Sequence, residues 1–200
     1  ADARAYSNLH QKIVQAFQRE FISPNGRISP NTQTAYTLAL KFDLVPEKLR
    51  QEVSDRLGSR IDYRNNHIST GFLGTPHIMF ALSENGHWDA AYNLLLQDSY
   101  PSWLYPITMG ATTIWERWDG MKPDSTFQNV GMNSFNHYAY GAVGDWMYKN
   151  IAGINPDIEQ PGYKHSIIRP MPGGGLESAK GTLETMYGAI ISDWTLDGET

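Results

Sequence analysis

The first hundred residues repeat one pattern: apolar side chains at helical spacing, then a stop rich in Gly, Pro or Asn, then another such segment. Between residues 2 and 22 the apolar positions Ala5, Leu9, Ile13, Ala16 and Phe17 fall close to a 3.6-residue period, which predicts an amphipathic helix. Pro24, Asn25 and Gly26 end it. Asn31 or Thr32 can cap a second helix over 33–41, with Ala35, Leu38, Ala39 and Phe42 turned inward. Pro46 suits the first turn of a third, carried to residue 60 by Leu49, Val53 and Leu57. Ser69 or Thr70 opens a fourth, solidly apolar over 78–82 and ending near Asn85-Gly86, and 88–96 makes a fifth. Helices paired through short loops restrict the chain to packed helical hairpins, as in a toroid of such pairs.

The remainder reads differently. Pro101 and Pro106 predict an extended or turned segment, followed by a short helix over 111–115. Asp119-Gly120 and Pro123-Asp124-Ser125 mark loops, and 135–151 predicts a long, deeply placed helix rich in Gly, Ala and aromatic residues. Beyond Gly153 four prolines and Gly173-Gly174-Gly175 exclude long helices. The patches TLETMYG and AIISDWTL, with Tyr187-Gly188 at the turn, predict a β-hairpin that is too small to stand alone. The fold class is therefore mainly α, with a short C-terminal antiparallel β segment.

Composition narrows the function. A net charge of −5 with no basic block disfavours a nucleic-acid partner. The absence of cysteine excludes disulfides and thiolate chemistry. The six histidines show no i, i+4 pair and no HExxH, so no metal site is expected. With no phosphate-binding GxGxxG after a strand, no cofactor is expected, and no serine sits in a nucleophile elbow. No apolar run reaches the length of a membrane span. Aromatics at 12% against only 18% charged residues suit an aromatic-lined concavity for a neutral ligand.

The chemistry concentrates in YPSWLYPITMGATTIWERWDG (100–120). Trp103, Trp115, Trp118 and Tyr105 surround one carboxylate, Glu116. Flat rings stack on the apolar face of a sugar, and a carboxylate among them can act on a hydroxyl or a water. The alternative is an aromatic core with Glu116 paired to an arginine, in which Trp103 and Trp118 would be fully buried. Asp119 reads as a loop residue because Gly120 follows it. Asn133 or Ser134 can cap the following helix, and Asn136-His137 could serve sugar hydroxyls. The glycines of GFLGTP (71–76) suit a turn and a close backbone approach.

MGATTIWERWDG (109–120), GMNSFNHYAYGAVGDWMY (131–148) and GY-x3-IIRPMPGGGL (162–176) together strongly resemble bacterial α-L-rhamnosidases of glycoside hydrolase family 78. STGFLGTP (69–76), LLLQDSYPSWLYP (94–106) and NTQTAYTLALKFDLVP (31–46) extend the resemblance over nearly the whole chain. It implies a partial (α/α)6 barrel over 1–155, followed over 156–200 by a linker and the first strands of a β-sandwich domain. It implies inverting hydrolysis of terminal α-L-rhamnosides in rhamnose-containing glycosides or polysaccharides. Glu116 would be the general base, His137 a sugar contact, and Trp103, Trp115 and Trp118 the rings around rhamnose. The family's general acid lies in an upstream acidic motif that nothing in this chain resembles. The chain alone is therefore expected to be inactive, and the exposed face of a half-barrel to favour self-association. A non-catalytic carbohydrate-binding or scaffold protein of the same fold is the competing expectation.

Overall fold

Helix α1 (Asp2–Phe21) forms where the 3.6 period places it, yet none of its side chains is buried. Tyr6, Leu9 and Ile13 keep more than half of their surface exposed, so this chain leaves the apolar stripe of α1 uncovered. Gly26, at φ +73°, reverses the chain beyond it. The computed structural model describes residues 2–198 and divides into two units, one ending at Tyr140 and the other beginning at Gly141.

In the first unit α2 (Gln33–Lys41) is capped by Thr32, whose hydroxyl accepts from the Ala35 N–H at 3.2 Å. Its buried face is Gln33, Tyr36, Thr37, Ala39 and Leu40, rotated from the expected one, and Phe42 is 54% exposed. The rotation follows from satisfied polar groups. The Tyr36 hydroxyl donates to Asn31 Oδ1 at 2.9 Å, and the Gln33 amide clasps the loop ahead of α4 by donating to the His67 carbonyl (3.0 Å) and accepting from the Ser69 N–H (2.7 Å). A 3-10 turn (Glu47–Leu49) after Pro46 leads into α3 (Arg50–Tyr63), which buries Val53, Leu57 and Ile61.

Helix α4 (Thr75–Ser83) starts later than Ser69 or Thr70, because the Thr70 and Thr75 hydroxyls bond to each other at 2.8 Å across the turn. Helix α5 (Trp88–Leu96) matches its expected span. Helix α2 packs on α3 and α4, and α4 on α5. Among the described residues no helix is long and apolar enough to cross a membrane.

Three expectations are corrected. A short helix, α6 (Leu104–Thr108), forms where Pro106 predicted extended chain; a proline in the first turn loses only an N–H that has no helical partner. Residues 111–115 form no helix, and the segment 135–138 is not helical either. Their backbone groups are committed to each other, as described below. The helical stretch therefore begins only at Ala139. It passes through a 3-10 segment (Ala139–Ala142), α7 (Val143–Trp146) and a π turn (Met147–Ile151), a mixed geometry that suits Gly141 and Gly144.

In the second unit β1 (Ile154–Pro156) pairs antiparallel with β2 (Ser166–Ile168), and β3 (Ser178–Thr185) with β4 (Gly188–Thr195). The second pair is the expected hairpin. Ala179, Gly181 and Leu183 face Trp194, Ser192 and Ile190 on one side, while Lys180 and Asp193 form an ion pair (3.0 Å) on the other. The Trp194 indole donates to the Ile151 carbonyl at 2.8 Å and anchors the hairpin to the π turn.

Gly153 sits at φ +76°, and a Cβ there would lie 2.1 Å from the Pro170 backbone nitrogen; Gly162, at φ +79°, has open space around it. Gly162→Ala should cost only the left-handed penalty of about 1–2 kcal/mol, and Gly153→Ala clearly more. Chemical denaturation of the two variants checks this, and equal midpoints would refute the steric argument.

Candidate active site

Residues 113–116 and 134–137 run beside each other as a short non-helical ladder. The Glu116 N–H donates to the Ser134 carbonyl and the His137 N–H to the Ile114 carbonyl, each at 2.8 Å. The Thr113 hydroxyl donates to the Phe135 carbonyl. The Glu116 carboxylate closes the ladder, accepting through Oε2 from the Ser134 N–H at 2.9 Å. Its other oxygen has no hydrogen-bond partner among the described residues.

The arginine pairing considered for Glu116 goes elsewhere. Arg117 Nε meets Asp119 Oδ1 at 2.8 Å, and Gln128 Nε2 donates to Asp119 Oδ2. That hydrogen bond to Asp119 is the main reason the Arg117 pKa is raised. Asp119 is thus a loop brace with both oxygens engaged.

Gly120 and Asn133 keep the ladder tight. Asn133 Nδ2 donates to the Gly120 carbonyl at 3.0 Å. A Cβ on Gly120 would lie 2.9 Å from Asn133 Oδ1, 3.1 Å from the Trp115 ring and 3.2 Å from the Phe135 ring. Neither Asn133 nor Ser134 caps a helix: Asn133 braces the loop, and Ser134 supplies the N–H that holds Glu116.

His137 projects from the same ladder. Its Nδ1 accepts from the Ala139 N–H at 3.3 Å, which leaves the proton of the neutral ring on Nε2 as a donor. The ring stacks on Phe72 (4.8 Å, 14°) and lies parallel to Tyr138 (5.2 Å, 13°). Phe72 belongs to the GFLGTP turn, singled out for its glycines; an aromatic between two glycines was the signal for it.

The three tryptophans occupy different depths. Trp115 (5% exposed) meets the Phe135 ring at right angles (5.0 Å, 89°), and Trp103 (8%) donates its indole N–H to the Tyr140 carbonyl at 2.9 Å. Trp118 is only half-buried. It stacks on Tyr140 (3.8 Å, 7°) and meets Trp103 edge to face (5.6 Å). Tyr105 is buried, its hydroxyl on the Met121 carbonyl at 3.2 Å.

Trp118 and Tyr140 line a solvent-open concavity of about 810 Å³, completed by Tyr100, Pro101 and the loop 63–71. Tyr140, which sequence reasoning missed, joins the parts: it backs Trp118, touches Phe72 (5.2 Å) and lies within the electrostatic reach of Glu116. Burial is the chief cause that raises its pKa, with Arg117 opposing and Tyr100 and Glu116 adding. A carboxylate with one open oxygen, an imidazole N–H and a partly exposed indole can accept a proton from water, bond a hydroxyl and stack on a sugar face. Among the described residues no group of three or more His, Asp or Glu could hold a metal ion.

Comparison with known proteins follows this geometry. Residues 1–151 match the family model described as the bacterial alpha-L-rhamnosidase 6 hairpin glycosidase domain, and residues 153–200 that of the bacterial alpha-L-rhamnosidase C-terminal domain. A curated alpha-L-rhamnosidase of Streptomyces avermitilis is 49% identical over 193 residues, 96% of this chain and 18% of its own length. One of Formosa agariphila is 45% identical over 197 residues, 98% and 21% respectively. The chain thus spans about a fifth of the length of these relatives. The crystal structure of the Streptomyces avermitilis enzyme complexed with L-rhamnose superposes with a TM-score of 0.94 at 47% identity, covering 99% of this chain and 19% of that one. The native Aspergillus terreus enzyme gives 0.93 at 40%, covering 98% and 23%. The helical hairpins are those of a partial six-hairpin barrel.

Burial raises the pKa of the Tyr92, Tyr105 and Tyr140 phenols above the ordinary 10.0. The folded state therefore holds these protons longer than the unfolded state. The stability this carries is complete below pH 10 and drains away as pH rises through the folded-state values. Absorbance titration at 295 nm should show a late group of tyrosines ionising together with unfolding. Ionisation of all 11 tyrosines in one step, with the fold intact, would refute it.

Proposed function

The chain belongs to the bacterial α-L-rhamnosidase family, and from that premise we propose that it carries the base-bearing part of an enzyme hydrolysing terminal α-L-rhamnosides with inversion. The observation that carries the reading is the Glu116 carboxylate, fixed by the Ser134 N–H through Oε2 with Oε1 left open. Inversion needs a base and an acid about 6.5–9.5 Å apart, with a water between the base and the anomeric carbon. Glu116 Oε1 takes a proton from that water as its oxygen bonds to the anomeric carbon. The bond to the leaving oxygen breaks, and the acid protonates that oxygen.

Asp119 is unsuited to be the acid, since Arg117 and Gln128 occupy its two oxygens. The acid belongs to polypeptide beyond these 200 residues, so the chain alone turns over no substrate. His137 donates from Nε2 to a sugar hydroxyl and is held in place by Phe72. Trp118 offers its exposed part to the apolar face of rhamnose, backed by Trp103, while Trp115 lies buried against Phe135. The uncovered stripe of α1 is covered by further hairpins in the whole enzyme, and in the isolated chain it drives self-association.

Hydrolysis of an aryl α-L-rhamnoside by the full-length enzyme tests the base. Glu116→Gln keeps an oxygen to accept from Ser134 but cannot take the proton, so kcat should fall by about 10²–10⁴. Unchanged turnover would place the base elsewhere. The 200-residue chain alone should show no turnover and a sedimentation coefficient that rises with concentration; an active monomer would overturn both statements.

A further inference from the structure

Arg117 follows Glu116 directly in the chain, so a cation stands beside the carboxylate read as the base. The two also converge on one ring. The Tyr140 phenol lies within the electrostatic reach of both, Arg117 favouring its ionised form and Glu116 opposing it. A guanidinium left free in such surroundings would stabilise the ionised carboxylate and make it a weaker proton acceptor.

The structure answers this charge at Asp119. Arg117 Nε donates to Asp119 Oδ1 at 2.8 Å, the two side chains being 32% and 19% exposed, and Gln128 Nε2 holds the second carboxylate oxygen. Charges this far out of water are screened less than a surface pair. The neck of the loop is already closed by neutral bonds to the Gly120 carbonyl, from Asn133 Nδ2 at 3.0 Å and from the Gln128 N–H at 3.1 Å. Bracing alone therefore does not call for an ion pair. The other titratable groups gathered here are His137, on the facing segment of the ladder, and Tyr100, Tyr105 and Tyr140, each in electrostatic contact with Arg117 or Asp119. They are one imidazole and three phenols, and none of them offers Arg117 a carboxylate.

We propose that Asp119 is a positioning residue for the reaction: by binding and neutralising Arg117 it keeps the cation off Glu116 and preserves that carboxylate's ability to take a proton from water. The inference rests on the reading of Glu116 as the base.

The pH profile of kcat/KM for an aryl α-L-rhamnoside, measured on the full-length enzyme, tests it, since the acidic limb of such a profile reports the base. Asp119→Asn keeps the shape of the side chain but leaves Arg117 uncompensated, so the acidic limb should move down by about half a pH unit. Arg117→Gln leaves the Asp119 charge alone beside Glu116, and the limb should move up by a similar amount. The enzyme carrying both changes should return close to the native profile. A side chain that only braces the loop cannot produce shifts of opposite sign that cancel. A fall in rate shared by all three variants with the limb fixed, or movement in the same direction in both single variants, overturns the proposal. Glu116→Gln on the same substrate reads the base assignment separately. If it loses turnover while the charge variants leave the limb fixed, the role of Asp119 alone fails. If it keeps full turnover, the base reading fails and the role of Asp119 with it.

Discussion

The candidate site hangs from the pairing of residues 113–116 with residues 134–137. This ladder stands where helix was expected on both sides. Residues 111–115 include Thr112, Thr113 and Ile114, whose branched side chains lose freedom in a helix, so the cost of staying extended is small. The return is specific. The Ser134 N–H, which a helix beginning at Ser134 would leave unpaired in its first turn, points at the Glu116 carboxylate instead. Gly120 and Asn133 make the crossing possible, because no Cβ fits between the Trp115 and Phe135 rings and the Asn133 amide.

The five helices from α1 to α5 were legible because period and punctuation are local signals. What could not be read was anything decided by a partner far along the chain. The inner face of α2 turned because Gln33 and Tyr36 find hydrogen-bond partners in loops, Gln33 as far as 36 residues away at Ser69. An apolarity count prices both residues as polar and assigns them to solvent; once satisfied, they are buried. The ladder follows the same logic, joining Glu116 to a backbone group 18 residues on. Glu116 itself stood out as a lone carboxylate among indoles. Phe72 and Tyr140 did not, since an aromatic residue in a turn or at a helix start looks the same in sequence whether it fills a core or supports a binding wall.

The second unit shows the opposite balance. Alternation in patches pointed to a hairpin turning at Tyr187-Gly188, and the register places Met186 and Tyr187 in the turn, with Gly188 opening β4 opposite Thr185. Gly181 is the exception to a good strand sequence, and its reason is again non-local. A Cβ there would come within 2.6 Å of the Ala152 methyl group, where the hairpin lies closest to the end of the π turn.

The charges around Glu116 follow one arrangement. A carboxylate locked to a guanidinium is a poor proton acceptor, because the cation favours its ionised form. Here the adjacent Arg117 is drawn to Asp119, and Asp119 is held in turn by Gln128, so the strong pair braces the loop. Glu116 receives a single neutral N–H, enough to fix its orientation while one oxygen stays open. The nearby Tyr140 phenol, protonated well past neutral pH, adds no second negative charge. Charges that would compete with the chemistry at Glu116 are thus paired with each other.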